Sequence, residues 1–593
     1  MTEQKTVAGA NEETFIRVAG LAELKEKNCI VVRGEDRPIA VFYNDGNIHA
    51  VDNRCPHLGF PLHKGTVSDG ILTCHWHHAR FDLSSGCTFD IFAGDVPTTK
   101  TEIRDGEVWV ASKFPTDNRE RERRQLQESM ARSVGLGIGK ATIALLQAGA
   151  PVSDIVREGA LFGAHNRDGW SPGMTILTSL ANLAPHLPEE EKYLALYLGL
   201  GAVASDCNGQ PPRRERHALE GTEVSFETLK RWFRYWNTVR HRDAAERTLL
   251  SAIEIATPAQ LTDLLLSAAT DRYYSDAGHA LDFVNKSLEV LDVIGWEYSA
   301  QILPTVVRQL VAARGGEEMN SWRHPLDLMP LLETAFEKLP SWFENGAGKN
   351  WSEEAKLAQD ILSDEPQQII DALQAAICAG AKPLQLSKAL CYAAALRIAR
   401  FGTANEFGDW ITALHTFTYC NALHQSLRRM AESDSVFCEA TRGIFHGAMS
   451  VYLDRFLNVP PTPLPQKMED EPEDAATLRA KFLGLLDTQH SVDAGARIVA
   501  RYLSLGYSTE DLIVTFTRAV VREDAEFHTF QMLEASIQQW KEWGNTNEGA
   551  HILIALARYL AAHSPTQRTQ LQTAMIALRL HRGEILHEEN DAQ

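Results

Sequence analysis

The chain has 593 residues, more than one hydrophobic core organises, so at least two domains are expected. Apolar residues make up 44% and charged residues 23%, as in globular proteins, and nine thinly spread cysteines exclude a dense disulfide framework. A formal net charge of −20 excludes a general nucleic-acid or anionic-membrane surface and leaves room for a basic redox partner.

The first stretch, MTEQKTVAGANEETF, has neither a charged n-region nor an apolar h-region. No segment approaches the roughly 18 continuous apolar residues of a membrane span, so a cytoplasmic protein free of the membrane is expected. From 13 to 113 the pattern is short apolar runs separated by turns: Cys29–Val32, Ile39–Tyr43 and Ile48–Val51, with Asn44-Asp45-Gly46 between the last two. Thr101–Arg104 and Glu107–Ala111 flank Asp105-Gly106, a strong hairpin signal because Gly accepts positive φ. This predicts a small antiparallel β-domain.

Residues 114–130, opening with Phe114-Pro115-Thr116-Asp117 and the charge run Asn118–Glu128, read as linker and first, solvated helix. Beyond them apolar residues recur at helical spacing, as in Ala141–Leu146, Leu288–Ile294 and Ala555–Leu560, with prolines mostly between such runs. A Pro-rich and acidic stretch at 459–474 divides this region into helical parts at 131–458 and 475–590. The expected fold is therefore a small antiparallel β-domain followed by a large all-α domain with weak internal duplication.

The run CPHLGFPLHKGTVSDGILTCHWHHARFDLSSG, starting at Cys55, contains C-x-H, sixteen residues, then C-x-x-H. Each motif offers one Cys and one His from a single loop, so two loops brought together can clasp one metal centre. Two thiolates and two imidazoles suit tetrahedral zinc, or an iron–sulfur cluster in which imidazoles replace two thiolates on one iron. Zinc modules usually group a Cys pair and then a His pair, whereas this pattern alternates.

The surrounding residues Pro56, Leu58-Gly59, Asp69-Gly70, Phe81-Asp82, Ser85-Gly86 and Val96-Pro97 resemble the Rieske family over about residues 13–113. The resemblance implies a [2Fe–2S] cluster, with Cys55 and Cys74 on one iron and His57 and His77 on the other. High-potential members add a disulfide between the loops, whose cysteines would fall at Phe60 and Trp76, and hydroxyls near sulfur, whose positions here are Ala79 and Phe81. The chain therefore resembles the low-potential ferredoxins, with a potential near the lower Rieske limit of roughly −150 mV. His63, His75 and His78 are expected to lie outside the ligand set, and Cys87 to be a small buried residue.

Rieske oxygenases also carry an Asp-x-x-His-x(4)-His iron motif, which is absent here. The nearest approach, Asn421-Ala422-Leu423-His424, has Arg429 where the second His belongs. No GxGxxG, Walker A, HExxH or calcium loop appears, so electrons are expected from a partner reductase or ferredoxin rather than from bound NAD or flavin.

Self-comparison finds four related helical segments, ending at His165, His279, His415 and His528. After the last three, Asn285, Asn421 and Glu534 follow at six positions, and Asp276, Glu406 with Asp409, and Asp524 with Glu526 lie just upstream. Histidines such as these can be separate core residues bonded locally. If the repeats close on one another, His279, His415 and His528 instead share an interior site, where imidazole and carboxylate suit an additional non-haem iron. The cluster would then reach that site within one chain or across a symmetric homo-oligomer. Trp170, Trp322-Arg323-His324-Pro325 and Phe445-His446-Gly447 are further pocket candidates. The helical half resembles questin-oxidase-like proteins, which cleave aromatic rings oxidatively.

The leading expectation is an oxidoreductase: a Rieske electron-transfer domain fused to an all-α domain that performs or supports oxidation or oxygenation of a small organic substrate. The alternative is a non-catalytic redox relay or sensor on a helical protein-binding scaffold.

Overall fold

A computed structural model describes residues 14–114, 119–221, 223–430, 439–465, 473–489, 491–584 and 586. Residues 115–118 and 466–472 of the two expected linkers, and Cys438, lie outside them. The chain forms two compact units. The first takes the described residues up to Pro151 and those from Gln572 onward, and the second is Val152–Leu571.

In the first unit ten short strands form three antiparallel sheets. One joins β1 (Phe15–Gly20), β10 (Glu107–Ala111) and β9 (Thr101–Arg104), in that order. The next runs β2 (Cys29–Arg33), β3 (Pro38–Asn44), β4 (Asn47–Asp52), β8 (Thr98–Thr99), and the third β5 (Thr66–Ser68), β6 (Ile71–Thr73), β7 (Arg80–Asp82). Three hairpins turn on Asp-Gly pairs with both residues at positive φ: Asp45-Gly46, Asp69-Gly70 and Asp105-Gly106. That conformation matches the twist of paired strands and holds β9 to β10 with Ile103 opposite Val108.

Strand β3 is buried on both faces, so its side chains alternate between two cores. Ile39 and Val41 pack with Leu24, Val108 and Val110, whereas Ala40 and Phe42 pack with Leu62, Leu72, Phe81, Cys55 and Cys74. The second core is what presents the cysteine loops.

The first unit also includes helices α2 (Arg119–Ala131) and α3 (Gly135–Gln147), α1 being Leu21–Lys27 within the β-domain. Helix α2 buries only Leu126, Ser129 and Met130, as its charge run implies. Helices α2 and α3 pack onto each other and fall in the first unit, and the second unit opens at Val152.

The regular structure among the described residues of the second unit is all helical. Four of its helices matter below: α4 (Pro172–Leu183), α5 (His279–Ile294), α6 (Asp409–Met430) and α7 (Phe527–Trp543). Helix α6 packs against α5 and α7, and α4 against both of those. Against expectation, Pro340 lies inside a helix, Met329–Gly346. Helix α5 buries thirteen of its residues, Asp282, Asn285, Lys286 and Glu289 among them, so its polar groups must find partners inside the protein.

Candidate metal centres

The two cysteine loops close in the same way. Cys55 N–H donates to the Phe60 carbonyl at 2.8 Å, and Cys74 N–H to the Ala79 carbonyl at 2.8 Å. Both cysteines are buried and their thiols touch. That contact splits their proton affinities: the hydrogen bond from Cys55 pulls Cys74 down to about 6, and Cys55 is pushed up. The His57 and His77 rings lie 4.7 Å apart, edge to face. His57 is pushed down to about 4, first by burial and then by His77, and its buried Nδ1 has no hydrogen-bond partner.

Two adjacent sulfurs, two adjacent imidazoles and an orphaned ring nitrogen are the donor set that a [2Fe–2S] cluster with mixed ligands requires. His77 is exposed, with Trp76 beside it at 4.3 Å, and Phe92 reaches His57 at 5.1 Å. Phe60 and Trp76 face each other across the loops at 6.3 Å, and Ala79 and Phe81 are fully buried beside the cysteines.

The Rieske [2Fe-2S] domain family matches residues 14–98. The chain is 30% identical over 74 residues to the ferredoxin component of the naphthalene 1,2-dioxygenase system of Pseudomonas aeruginosa, covering 71% of that protein and 12% of this one. The chain belongs to the Rieske [2Fe–2S] family. A Homo sapiens Rieske domain-containing protein is 34% identical over 68 residues, 11% of this chain and 43% of that one, so the chain spans less than half of that relative. The solved Sphingomonas yanoikuyae B1 ferredoxin is 25% identical, with a TM-score of 0.16, covering 17% of this chain and 100% of that one.

Around the Rieske loops His63 and His75 have local partners. His63 Nδ1 meets Asn53 Oδ1 at 3.0 Å and His75 Nε2 meets Thr66 Oγ1 at 3.3 Å. Cys87 is exposed, contrary to expectation, because it stands on the turn whose Ser85 hydroxyl accepts its N–H. Behind the Cys55 loop is a cavity of about 360 Å³ lined by Arg54, Glu122, Lys140 and His581. Lys140, pushed down to about 8 by burial, donates to the Pro56 carbonyl there.

The second unit holds the other centre. His279 opens α5, His528 lies in the first turn of α7, and His415 in the second turn of α6. Ligand atoms of the three all lie within 4.8 Å of one another, and His415 Nε2 is 2.9 Å from His528 Nε2. One of these two Nε2 atoms donates to the other across that contact, so both rings point at the same place. Burial, then the neighbouring imidazoles, pushes His415 down to about 3 and His528 down to about 4, so both rings are neutral at neutral pH, the form that binds a metal. His528 Nδ1 is buried without a partner. Phe283 and Phe527 stand against His279 at 5.3 and 5.7 Å.

The approach to His279 is a feature the sequence analysis missed. Tyr274, Asp276, Ala277 and Gly278 all have positive φ (45, 54, 51 and 92°), a conformation that only Gly adopts freely. Such residues cost of order 1–3 kcal/mol each and cluster at functional sites. No local composition announces it, since Asp and Gly are ordinary loop residues and Ala277 is out of character.

The upstream carboxylates do not join the histidines. Asp276 and Glu406 are exposed, Asp409 accepts the Glu406 N–H, and Asp524 accepts the N–H groups of Thr569 and Gln570. Asp409 and Asp524 serve as local backbone acceptors, so among the described residues the cluster is three imidazoles. His165 is exposed at the end of its own helix, and His424 bonds Ser387 at 2.9 Å. Trp170 bonds Thr175, and Trp322 packs on Tyr274. His446 is buried between Tyr273 and Phe336 with neither ring nitrogen bonded.

Proposed function

We propose that Cys55, His57, Cys74 and His77 hold the Rieske cluster and that it supplies single electrons to a non-haem iron held by His279, His415 and His528. The helical unit then oxidises or oxygenates a small organic substrate. The convergence of three neutral imidazoles, from positions more than a hundred residues apart in sequence, carries this reading. Three histidines suit zinc as well as iron, but zinc has no redox chemistry and would leave the electrons no acceptor. Iron with open coordination positions supplies activation of dioxygen when bound. The named role of the naphthalene dioxygenase ferredoxin supports an oxygenation.

The residues of this chain contribute the rest. Exposed His77 with its aromatic neighbours gives an electron-donor protein a direct approach, and tethering both centres on one chain raises the effective concentration of donor at acceptor. Phe283 and Phe527 give His279 an apolar wall suited to an aromatic or aliphatic substrate.

Metal analysis of the full-length protein tests this. Two irons per chain belong to the cluster, and a third should disappear in His279→Ala or His415→Ala while the cluster remains. A chain with cluster iron alone, and no metal lost in those variants, would overturn the reading in favour of a redox relay on a helical scaffold.

A further inference from the structure

Below the three histidines the same helix faces continue as buried polar side chains. On α5, Asp282, Lys286 and Glu289 follow His279 at three, seven and ten positions, one face of a helix. On α7, Gln531, Glu534 and Gln538 follow His528. The first step, from histidine to Asp282 or Gln531, is a rise of about 4.5 Å along the axis.

The two faces interlock. Gln531 Nε2 donates to Asp282 Oδ2, and Lys286 Nζ donates to Glu534 Oε2 and, at 2.8 Å, to Glu289 Oε2. Asn182 of α4 donates to Glu289 Oε2 at 3.1 Å and Glu534 Oε1 at 2.6 Å. Asn285 donates to Glu289 Oε1 at 2.8 Å and Gln538 to Glu534 Oε1 at 3.2 Å. Asp282, Lys286, Glu289 and Glu534 are at most 5% exposed. One turn beyond Glu289, Asp292 is 47% exposed and pairs with Arg429 of α6.

The charge count is uneven. Three carboxyls surround one ammonium, the Arg429 guanidinium at the Glu289 end is shared with Asp292, and full ionisation would leave carboxylates in excess in a water-poor interior, a cost proteins avoid by binding protons. A structural ion pair needs only one carboxylate, and apolar packing would stabilise as well or better. Burial pushes Asp282 up to about 7 and Glu534 upward too. Lys286, which burial alone would discharge, is kept charged by Glu289 and Glu534. Glu289 is held ionised by Lys286, Arg429 and Asn285 against its own burial.

We infer that this column stores protons and relays them from the Asp292 end to the three-histidine centre, matching each electron the centre receives with a proton. The inference rests on reading the histidines as that redox centre. Insertion of one oxygen atom balances as RH + O₂ + 2e⁻ + 2H⁺ → ROH + H₂O, with dioxygen as oxidant and the electrons from the Rieske cluster. The protons must reach a half-buried centre whose inner side is the buried polar column. Asp282 gives its carboxyl proton toward the histidines and is recharged from the side of Asp292 through Glu289 and Glu534, while Lys286 stays charged between those two carboxylates and holds them in place.

Two measurements on the full-length protein separate the relay from the metal reading. In the infrared, with or without metal, carboxylic-acid C=O absorption should be present below about pH 7 and should lose one component in Asp282→Asn, with the Asp454 component left in place. No such band in wild type, or a band unchanged in both Asp282→Asn and Glu534→Gln, overturns the stored proton. In weak buffer with a pH indicator, reduction of the iron-loaded chain should take up one proton per electron reaching the histidine centre. Lys286→Met should slow that uptake by ~10²-fold, with Glu534→Gln reading the same step if Lys286→Met does not fold. Reduction of a third iron without proton uptake overturns the relay. Absence of a third iron overturns the metal reading, and the infrared band still decides whether the column holds its proton.

Discussion

The two candidate centres are built by opposite strategies. Around Cys55 and Cys74, four donors come from one short stretch, and each loop is closed by its own backbone bond from the Cys N–H to a carbonyl five residues on. Around His279, His415 and His528 nothing local fixes the geometry, since the three helices that carry them are far apart in sequence and meet only through tertiary packing. A loop centre can be transplanted with its motif, whereas a helix-end centre exists only when the whole unit has folded. The first should tolerate change elsewhere in the chain, and the second should not.

The strongest way to break that comparison is to remove one donor from each. His77→Ala should abolish the Rieske EPR signal and the visible colour of the cluster while leaving the third iron bound. Loss of both would show that the centres are not independent. The converse variant, His415→Ala, should lose the third iron with the Rieske spectrum intact.

A smaller effect sharpens the contrast in burial. Asp454, beside α6, accepts from the Thr416 hydroxyl at 2.6 Å and is pushed up to about 7 by burial. The folded chain keeps this proton where the unfolded chain, near 3.8, has lost it. Folded protein therefore binds more protons between those values, and stability falls as pH rises through the window. The slope is at most about 1.4 kcal/mol per pH unit. Denaturant midpoints measured across it should flatten in Asp454→Asn. Smallest of all, Ala79→Ser with Phe81→Tyr should raise the cluster midpoint by offering hydrogen bonds to sulfur, from a starting value near roughly −150 mV. An unchanged midpoint in spectroelectrochemical titration would show that these two side chains do not face the cluster.

What was legible in the sequence follows the same division. The Asp-Gly hairpins, the strands around Ile39–Tyr43 and the Cys/His loops are local signals, and each lies where turn chemistry and alternation put it. The repeated histidines were visible only as a weak periodicity, and their meeting depended on packing that no spacing encodes. Asn285, Asn421 and Glu534, picked out by their shared offset, all enter buried hydrogen bonds: Asn285 to Glu289, Asn421 to Gln538 and Glu534 to Lys286. The upstream carboxylates had the right type and the wrong direction, because residues just before a helix face outward as readily as inward. Cys87 misled for a related reason: a cysteine near buried cysteines is usually core, but this one follows a Ser-Ser-Gly turn that carries it to the surface.

The left-handed run ahead of His279 has a kinetic side. Residues held in sparsely populated conformations return that free energy when the segment unwinds, which is subtracted from the cost of opening it. Opening the segment that leads into His279 therefore costs less than opening an unstrained loop held by the same contacts.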